Sequence, residues 1–466
     1  MQPLSTIQNL STLNVHETIR LRGRVFSKKD CGKVLFLILR DGIDTLQTIL
    51  VKNHTETATT PDSSSYLTLS KVENESYIEV IGKLNGVKNP IRACSQQWIE
   101  LEITQYTIIS RSVLDLPITL KEAALTEEEK NENPALPSIQ FFKRLDNRVL
   151  DLRTNLSQAI FQLYDGLIFY TQKYLRKQGF LEIKTPKLIG GSSEGGADVF
   201  KVDYFGRTAC LAQSPQLYKQ MAIIGDFKRV FEIGPVFRAE NSNSNRHLTE
   251  FIGIDFEMVI DKDYKEVIHL AYQLLSYLFD KLNRKYEREI AIVRSFFEVP
   301  SLVLSPELLT IEFKEAVSLL KKQGNLIGDF DDLTTENEKQ LGAIIKATYN
   351  TDLYVVTQYP AKVRPFYTMG DAQDNRYTHS YDFMLRGEEI LSGAQRIHDY
   401  KMLCQKVRDL GIDEQGMGHY LDGFKYGAPP HGGVGIGLER VLKYFLGLPN
   451  IRYCSLFPRD PKRLHP

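Results

Sequence analysis

The sequence predicts an α+β chain. A small five-stranded β-barrel comes first, followed by a larger domain built on an antiparallel sheet flanked by helices. Three observations predict it. Residues 17–110 alternate apolar and polar side chains in short runs, and from about residue 140 long amphipathic stretches mingle with strand runs. Between the two lies a polar segment bracketed by prolines. At 466 residues the chain is too long for one core, so two or three domains are expected.

The barrel strands are TIRLRGRVFS, KVLFLILRD, TLQTILV, SYIEVIGKL and IELEITQYTII, interrupted by one long polar loop, TETATTPDSSS. DLPITLKEAALTEEEKNENPALPS then reads as a hinge with little helix, which bounds a barrel domain at 1–110, a linker at 111–140 and a second domain at 141–466. NLSQAIFQLYDGLIFYTQKYLRKQG is a long amphipathic helix stopped at Gly179. FLEIKTPKL, VDYFGRTACLAQ, RVFEIGPVFRAE, IGIDFEMVI and EEILSGAQRIHD read as strands, and YKEVIHLAYQLLSYLFDKLNRKY as a helix. Strict βαβ alternation is missing, which favours an antiparallel sheet. DFDDLTTENEKQ reads as a surface insertion.

Composition narrows the function classes. Net charge is zero, which excludes a bulk polycation but leaves room for a local basic patch that binds nucleic acid. Five scattered cysteines, odd in number and without a CxxC pair, fit a reducing compartment and argue against a disulfide framework or zinc site. No apolar run reaches membrane-spanning length, and the first twenty residues resemble neither a signal nor a transit peptide. A soluble cytoplasmic protein is expected.

Nucleotide chemistry has to come from unusual motifs. There is no GxxxxGK[ST], and HGGVGIGLER lacks both the third glycine and the βαβ setting of a dinucleotide fingerprint. In FEIGPVFRAENSNSNRHLTEF, Arg238 and Glu240 are two apart and share one strand face, while Phe251, Gly253, Asp255 and Glu257 share a face of the next strand. Paired as a hairpin, they would gather a cation, an aromatic ring and carboxylates around a polar loop without an apolar anchor. Arg238 suits bidentate contact with phosphate and Phe251 offers a flat face for a base; a solvated hairpin with one core phenylalanine explains the same residues.

In GAPPHGGVGIGLERVLKYFLGLP, glycines 433, 435 and 437 let a ligand approach the backbone. Arg440 sits in the following helix's first turn, against the dipole, which calls for an anionic partner; a glycine-rich turn with a surface arginine is the plainer reading. In QSPQLYKQ, Ser214 suits an N-cap and Pro215 the first helical position, so Gln216 and Lys219 share a face. Alone, Lys219 reads as a solvated lysine. Ser392 and Arg396 of GEEILSGAQRIHD share a strand face, with Glu389 opposite unless a bulge intervenes. An arginine in that apolar strand needs an anion, either a buried protein carboxylate or a ligand's.

GFLEIKTPKL, FRAE-loop-RHLTEF and GIGLER, in this order, resemble motifs 1, 2 and 3 of class II aminoacyl-tRNA synthetases. With a barrel ahead of them the chain resembles subclass IIb, whose members activate Asp, Asn or Lys. SSEGGADVFKVDYFGRTACLAQSPQLYKQ, RGEEILSGAQRIHD and FPRDPKRLHP are similar to the aspartyl-tRNA synthetases of the archaeal and eukaryotic cytoplasmic kind. The resemblance implies an OB-fold anticodon-binding barrel and a class II catalytic domain. The implied reaction activates L-aspartate with ATP and transfers it to the 3′ end of tRNA(Asp), in a homodimer whose interface includes Pro186.

The resemblance also implies roles. Arg238, Arg440 and Glu389 are the catalytic set, with Arg238 on the ATP α-phosphate. Arg440 lies on the γ-phosphate and over the adenine, with Phe251 on the other face. Ala239, Glu240, Arg246, His247, Leu248, Gly437, Leu438 and Glu439 complete the ATP site. Lys219 and Arg396 face the aspartate side chain, Gln216 and Asp255 its ammonium group, and Leu217, Tyr218, Ser392 and Arg238 line the same site. Ser193 and Glu194 belong to a closing loop hinged at Gly195 and Gly196. Asp382, Glu389 and Ser392 form an Mg²⁺ set of hard oxygens.

On the barrel, the resemblance implies that Phe36 stacks on the middle anticodon base and that Gln47 and Glu100 are base-reading groups; from its residues alone Phe36 reads as barrel core. Asparagine is nearly isosteric with aspartate, so charge must discriminate: an amide would leave two buried cations underpaired. An asparaginyl enzyme is the nearest rival. A catalytically idle RNA-binding paralogue is another, and the intact Arg238, Glu389, Arg396 and Arg440 weigh against it; a tRNA-independent amidation enzyme on the same catalytic fold is a third, and such proteins lack the barrel read here. The chain departs from the family's pattern at Gly370, His379 and Val434.

Overall fold

A computed structural model describes residues 3–12, 15–52, 66–191, 199–412 and 417–465. The polar loop TETATTPDSSS lies outside them. The chain divides into two compact units, Met1–Leu125 with Ala135–Gln158, and Thr126–Pro134 with Ala159–Pro466. The segment read as a hinge carries more helix than expected: Leu120–Ala123 and Glu127–Glu132 are each capped by a threonine, Thr119 and Thr126, whose hydroxyl accepts the N–H three residues on. Thr126 and Glu129 cap each other reciprocally, a local signal hidden inside a run of acids.

In the first unit, strands β1 (Thr18–Asp30), β2 (Val34–Asp41), β3 (Asp44–Val51), β4 (Tyr77–Gly86) and β5 (Gln96–Ser110) run in the order β1-β2-β3-β5-β4 and close through β1–β4 pairing. The alternation read from the sequence sets the faces. Leu35, Leu37, Leu39, Leu46, Val80 and Leu101 fill the interior, so the intervening Phe36 and Gln47 point outward. Phe36 is therefore not a core residue. It lies opposite Ile49, and Gln47 lies opposite Glu100 across the parallel β3–β5 pair. The Gln47 amide donates to Glu100 Oε2 at 2.9 Å.

The second unit is organised by helix α1 (Asn155–Lys177), which stops at Gly179 with φ +79°, a left-handed turn that a side chain would resist. Its sheet contains β6 (Leu181–Glu182), β7 (Arg229–Phe237), β8 (Glu250–Val259), β9 (Leu309–Glu312), β10 (Leu353–Thr357), β11 (Ser380–Leu385), β12 (Glu388–Gln395) and β13 (His431–Gly437). Among the described residues the order is β9-β10-β11-β12-β13-β8-β7-β6. The six central strands are antiparallel as expected, but each edge strand joins in parallel, so the sheet is mixed. Helix α2 (Gln216–Ile224) packs on β7 and β8, α3 (Lys265–Lys285) on β13, and α4 (Leu438–Leu446) follows β13 directly.

Two expected strands are broken up. FLEIKTPKL keeps ladder pairing only at Leu181–Glu182 and Leu188–Ile189, because Pro186 has no N–H to donate. VDYFGRTACLAQ is a hairpin, Lys201–Tyr204 with Arg207–Leu211, turned at Phe205 and Gly206, both of positive φ. DFDDLTTENEKQ is not a mere surface insertion. It leads into the helix Thr335–Tyr349, whose Asn337, Glu338, Leu341 and Ile345 are buried.

Candidate active site

The central strands carry a cavity of about 300 Å³. Pairing in β7–β8 sets Val236 opposite Phe251 and Glu232 opposite Asp255, and β8–β13 pairing sets Gly253, Asp255 and Glu257 opposite Gly437, Gly435 and Gly433. Phe251, Gly253 and Asp255 line the cavity, as their shared face predicts. Gly435 and Gly437 also line it, so the backbone is open to a ligand there. Gly433 serves another purpose: a Cβ would lie 2.1 Å from the Phe256 carbonyl and 2.3 Å from Glu257 Oε2, so the glycine makes room for Glu257.

β7 ends at Phe237, one residue short of the arginine expected on it. Arg238 instead opens the loop, its N–H donating to Thr249 O at 2.9 Å, and it is exposed on the cavity wall with its guanidinium 5.7 Å from the Phe251 ring centre. The loop that follows is anchored, contrary to expectation, and by polar groups. Buried Arg452 donates to Ser244 O at 2.9 Å and to Asn243 Oδ1 at 2.8 Å, and is itself held by Asp460 at 2.6 Å. Ile451 N–H donates to Asn245 O at 2.8 Å. The NSNSN polarity thus answers a fork of donors from the C-terminal segment.

Beyond the loop, Arg246 donates to Glu338 at 2.7 Å, so the segment read as an insertion supplies a carboxylate to the cavity edge. Burial, then the Arg440 and Arg246 charges, push the His247 imidazole down to about 4. Its Nδ1 meets the hydroxyls of Ser244 and Ser242 at 2.6 and 3.1 Å. Because the unfolded histidine titrates near 6.5, the stability held by neutral His247 is present above that pH and is lost as pH falls towards 4. Between about pH 7 and pH 5, the melting temperature should therefore fall less for His247→Gln than for the unaltered chain. Equal pH slopes would contradict this assignment.

At the start of α4, Glu439 is buried, accepts the Ile252 N–H at 3.1 Å, and is raised to about 7 chiefly by burial. Arg440, third in the helix, finds an anion inside the protein: its Nη1 lies 3.6 Å from Glu389 Oε1. Leu438 is buried in the core and, unlike Gly437, Glu439 and Arg440, does not line the cavity.

The inner wall is ionic. Lys219, 2% exposed, has its Nζ 3.0 Å from Asp255 Oδ1, 3.4 Å from Glu257 Oε2 and 3.0 Å from Val434 O. It is not solvated. Arg396 donates to Glu257 through Nε at 2.9 Å and Nη2 at 3.2 Å. The protein-carboxylate reading of this arginine holds, and the same side chain also lines the cavity. Burial raises the Glu257 carboxyl, but Arg396 and Lys219 outweigh it and hold the group below its usual range. Gln216 lines the cavity too, at the head of α2. Its helix starts one residue later than expected, with Pro215 at the N-cap and the Ser214 hydroxyl accepting the Gln216 N–H at 3.2 Å.

β12 contains the bulge on which Glu389 depended. Leu391 pairs with Phe383 and Glu389 with Met384, leaving Ile390 without a partner opposite, so Glu389 and Ser392 both reach the cavity. Asp382 does not line it. Arg364 grips Asp382 at 2.6 and 3.1 Å, donates to Ser392 Oγ at 3.0 Å and lies 3.8 Å from the Tyr359 ring centre. Among the described residues no group of three or more His, Cys, Asp or Glu is arranged to hold a metal.

Other expected residues sit elsewhere. Leu217 packs against the cluster of Phe366 and Leu403, and Tyr218 against Ile189 and Cys210, so neither side chain lines the cavity. Ala239 adjoins Arg238 and Glu240 but does not line it either, whereas Glu240, Arg246, His247 and Leu248 do. Ser193, Glu194, Gly195 and Gly196 lie outside the described residues. The departures at Gly370, His379 and Val434 leave the wall intact: His379 stacks on Tyr264 and bonds Gln395, and Val434 contributes its carbonyl to Lys219. Glu257, Glu338, Arg364 and Arg452 went unassigned in the sequence. Only Glu257 carried a signal, as the next member of the alternating series after Asp255.

A hairpin opening on an arginine, a glycine strand running into an arginine-bearing helix, and a carboxylate-rich bulged strand define a nucleotide-binding sheet of one kind. The model of the tRNA synthetases of class II (D, K and N) matches residues 142–461, and the chain belongs to that family. Within it, the chain is similar to the cytoplasmic aspartate–tRNA ligase of Caenorhabditis elegans, at 46% identity over 99% of this chain and 87% of that protein. Its structure is similar to the aspartyl-tRNA synthetase from Entamoeba histolytica, with a TM-score of 0.88 and 39% identity, covering 100% of this chain and 93% of the other. It is also similar to the asparaginyl-tRNA synthetase of Pyrococcus horikoshii complexed with asparaginyl-adenylate, with a TM-score of 0.84 and 29% identity over 97% of each chain.

Proposed function

We propose that the chain is a cytoplasmic aspartate–tRNA ligase that forms aspartyl-adenylate from L-aspartate and ATP and transfers the aspartyl group to the 3′ end of tRNA(Asp). The observation that carries the choice of amino acid is the inner wall. Arg396 lines the cavity and has more N–H donors than Glu257 uses, Lys219 sits behind it with Asp255, Glu257 and the Val434 carbonyl, and both groups present donors only. A carboxylate accepts from Arg396 and is drawn by the Lys219 charge behind it. An asparagine amide would bring its own N–H donors against that wall, an arrangement with unpaired buried groups.

The remaining residues suit the chemistry of phosphate. The aspartate α-carboxylate attacks the ATP α-phosphorus and pyrophosphate leaves. Exposed Arg238 stands where charge develops, and Arg440 is free to exchange its 3.6 Å contact with Glu389 for a phosphate. Phe251 offers its face to the adenine, Asp255 and Gln216 suit the ammonium group, and neutral His247 adds no competing cation. The tRNA 3′ hydroxyl then attacks the adenylate carbonyl and AMP departs.

Glu389 and Ser392 line the cavity as hard oxygen donors and fit Mg²⁺. Asp382 completes the set only if Arg364 yields it. When bound, the ion would neutralise phosphate charge. Phe36, Gln47 and Glu100, on one outer face of the barrel, suit an anticodon. A homodimer through motif 1 fits the exposed Pro186 flanked by Leu181 and Leu188, 47% and 48% exposed. No helix among the described residues is long and apolar enough to cross a membrane. Aminoacylation tests the reading: labelled aspartate should be esterified to tRNA(Asp) with ATP consumed. Charging by asparagine alone, or by no amino acid, would overturn it.

A further inference from the structure

We propose that Trp98 is a second stacking platform for tRNA, holding an unpaired anticodon-loop base next to the one read by Gln47 and Glu100. The inference rests on the ligase reading and extends it to a residue without an assigned role. The chain spends its single tryptophan at a barrel surface position that is 60% exposed. Position decides what it can touch. Around it β4–β5 pairing is regular, with Gly86 opposite Ile99, Asn85 opposite Glu100 and Leu84 opposite Leu101. Leu101 is in the core and Ile99 packs against it, so Trp98 and Glu100 share the outer face. That is the face on which Glu100 binds the Gln47 amide and on which Phe36 stands two strands away.

Residues two apart on a strand are about 7 Å apart, close to twice the spacing of stacked rings, so a base on the indole would adjoin one read by Gln47 and Glu100. The strand end is fixed rather than frayed: Val87 N–H donates to Trp98 O at 3.0 Å and Ile91 N–H to Gln97 O at 2.8 Å. The connection between β4 and β5 also carries Lys88 and Arg92, both exposed, which supply cations for the phosphates joining two stacked bases. An exposed indole beside hydrogen-bonding side chains and cations is the chemistry of single-stranded RNA recognition.

The sole tryptophan makes the test direct. Titrating the full chain with the anticodon stem-loop of tRNA(Asp) should quench tryptophan fluorescence, whereas an acceptor-stem RNA of equal length should not. Trp98→Ala should weaken stem-loop binding on the order of tenfold, and Trp98→Phe should restore part of it, since a ring face remains. Aspartate-dependent ATP–pyrophosphate exchange should be unchanged in both. Unquenched fluorescence at stem-loop saturation, or Trp98→Ala binding as tightly as the unaltered chain, would overturn the assignment. Should the alanine variant fail to fold, the quenching and the phenylalanine variant still decide. Absence of exchange in the unaltered chain would instead strike at the ligase reading, so the two failures are distinguishable.

Discussion

Replacing Lys219 by alanine should reduce kcat/KM for aspartate activation on the order of a thousandfold, while the KM for ATP stays within about threefold. The size follows from burial. Breaking a buried ionic cluster by removing one partner typically costs about 3–5 kcal/mol, and Lys219 is the cation that holds Asp255 and Glu257 behind the proposed aspartate site. Part of that cost appears as lost stability, because Asp255 and Glu257 lose a cation. The melting temperature should therefore drop as well. Exchange kinetics on the folded protein, varying aspartate and ATP separately, tell the two effects apart. Equal loss towards both substrates would make Lys219 a purely structural residue.

Replacing Arg238 by alanine should have the opposite signature. Adenylate formation should slow by about two to three orders of magnitude, the loss seen when a donor aimed at developing charge is removed. The melting temperature should hardly move. Arg238 is exposed and its guanidinium rests over the Phe251 face at 5.7 Å, a contact worth about 0.5–1 kcal/mol at such a site. Single-turnover formation of adenylate measures the rate directly. A raised KM for ATP with an unchanged rate would mean that Arg238 binds ground and transition states alike.

These two residues also show what a sequence can and cannot reveal. Phe251, Asp255 and Arg440 were legible because each sits in a short motif whose spacing fixes its face, and Arg238 was legible from its motif although the strand stops one residue before it. The barrel was legible for the same reason: strict alternation sorts Leu35, Leu37 and Leu39 inward. What escaped depends on partners far along the chain. Glu338 meets Arg246 from 92 residues away, and Arg452 reaches Ser244 from 208, so the apparently loose NSNSN loop is held by a segment no local window contains. The bulge at Ile390 shows only in cross-strand pairing. The direction of the edge strands is likewise non-local, and Pro186 and the Phe205–Gly206 turn cut runs whose propensity alone reads as strand.

Under the proposed function, the buried charges of Arg396 and Lys219 choose a carboxylate over an amide. Parallel ATP–pyrophosphate exchange with L-aspartate and L-asparagine, on the same enzyme preparation, measures that choice most directly. Aspartate should support exchange with kcat/KM at least about a thousandfold above asparagine. Exchange driven by asparagine and not by aspartate would contradict the account.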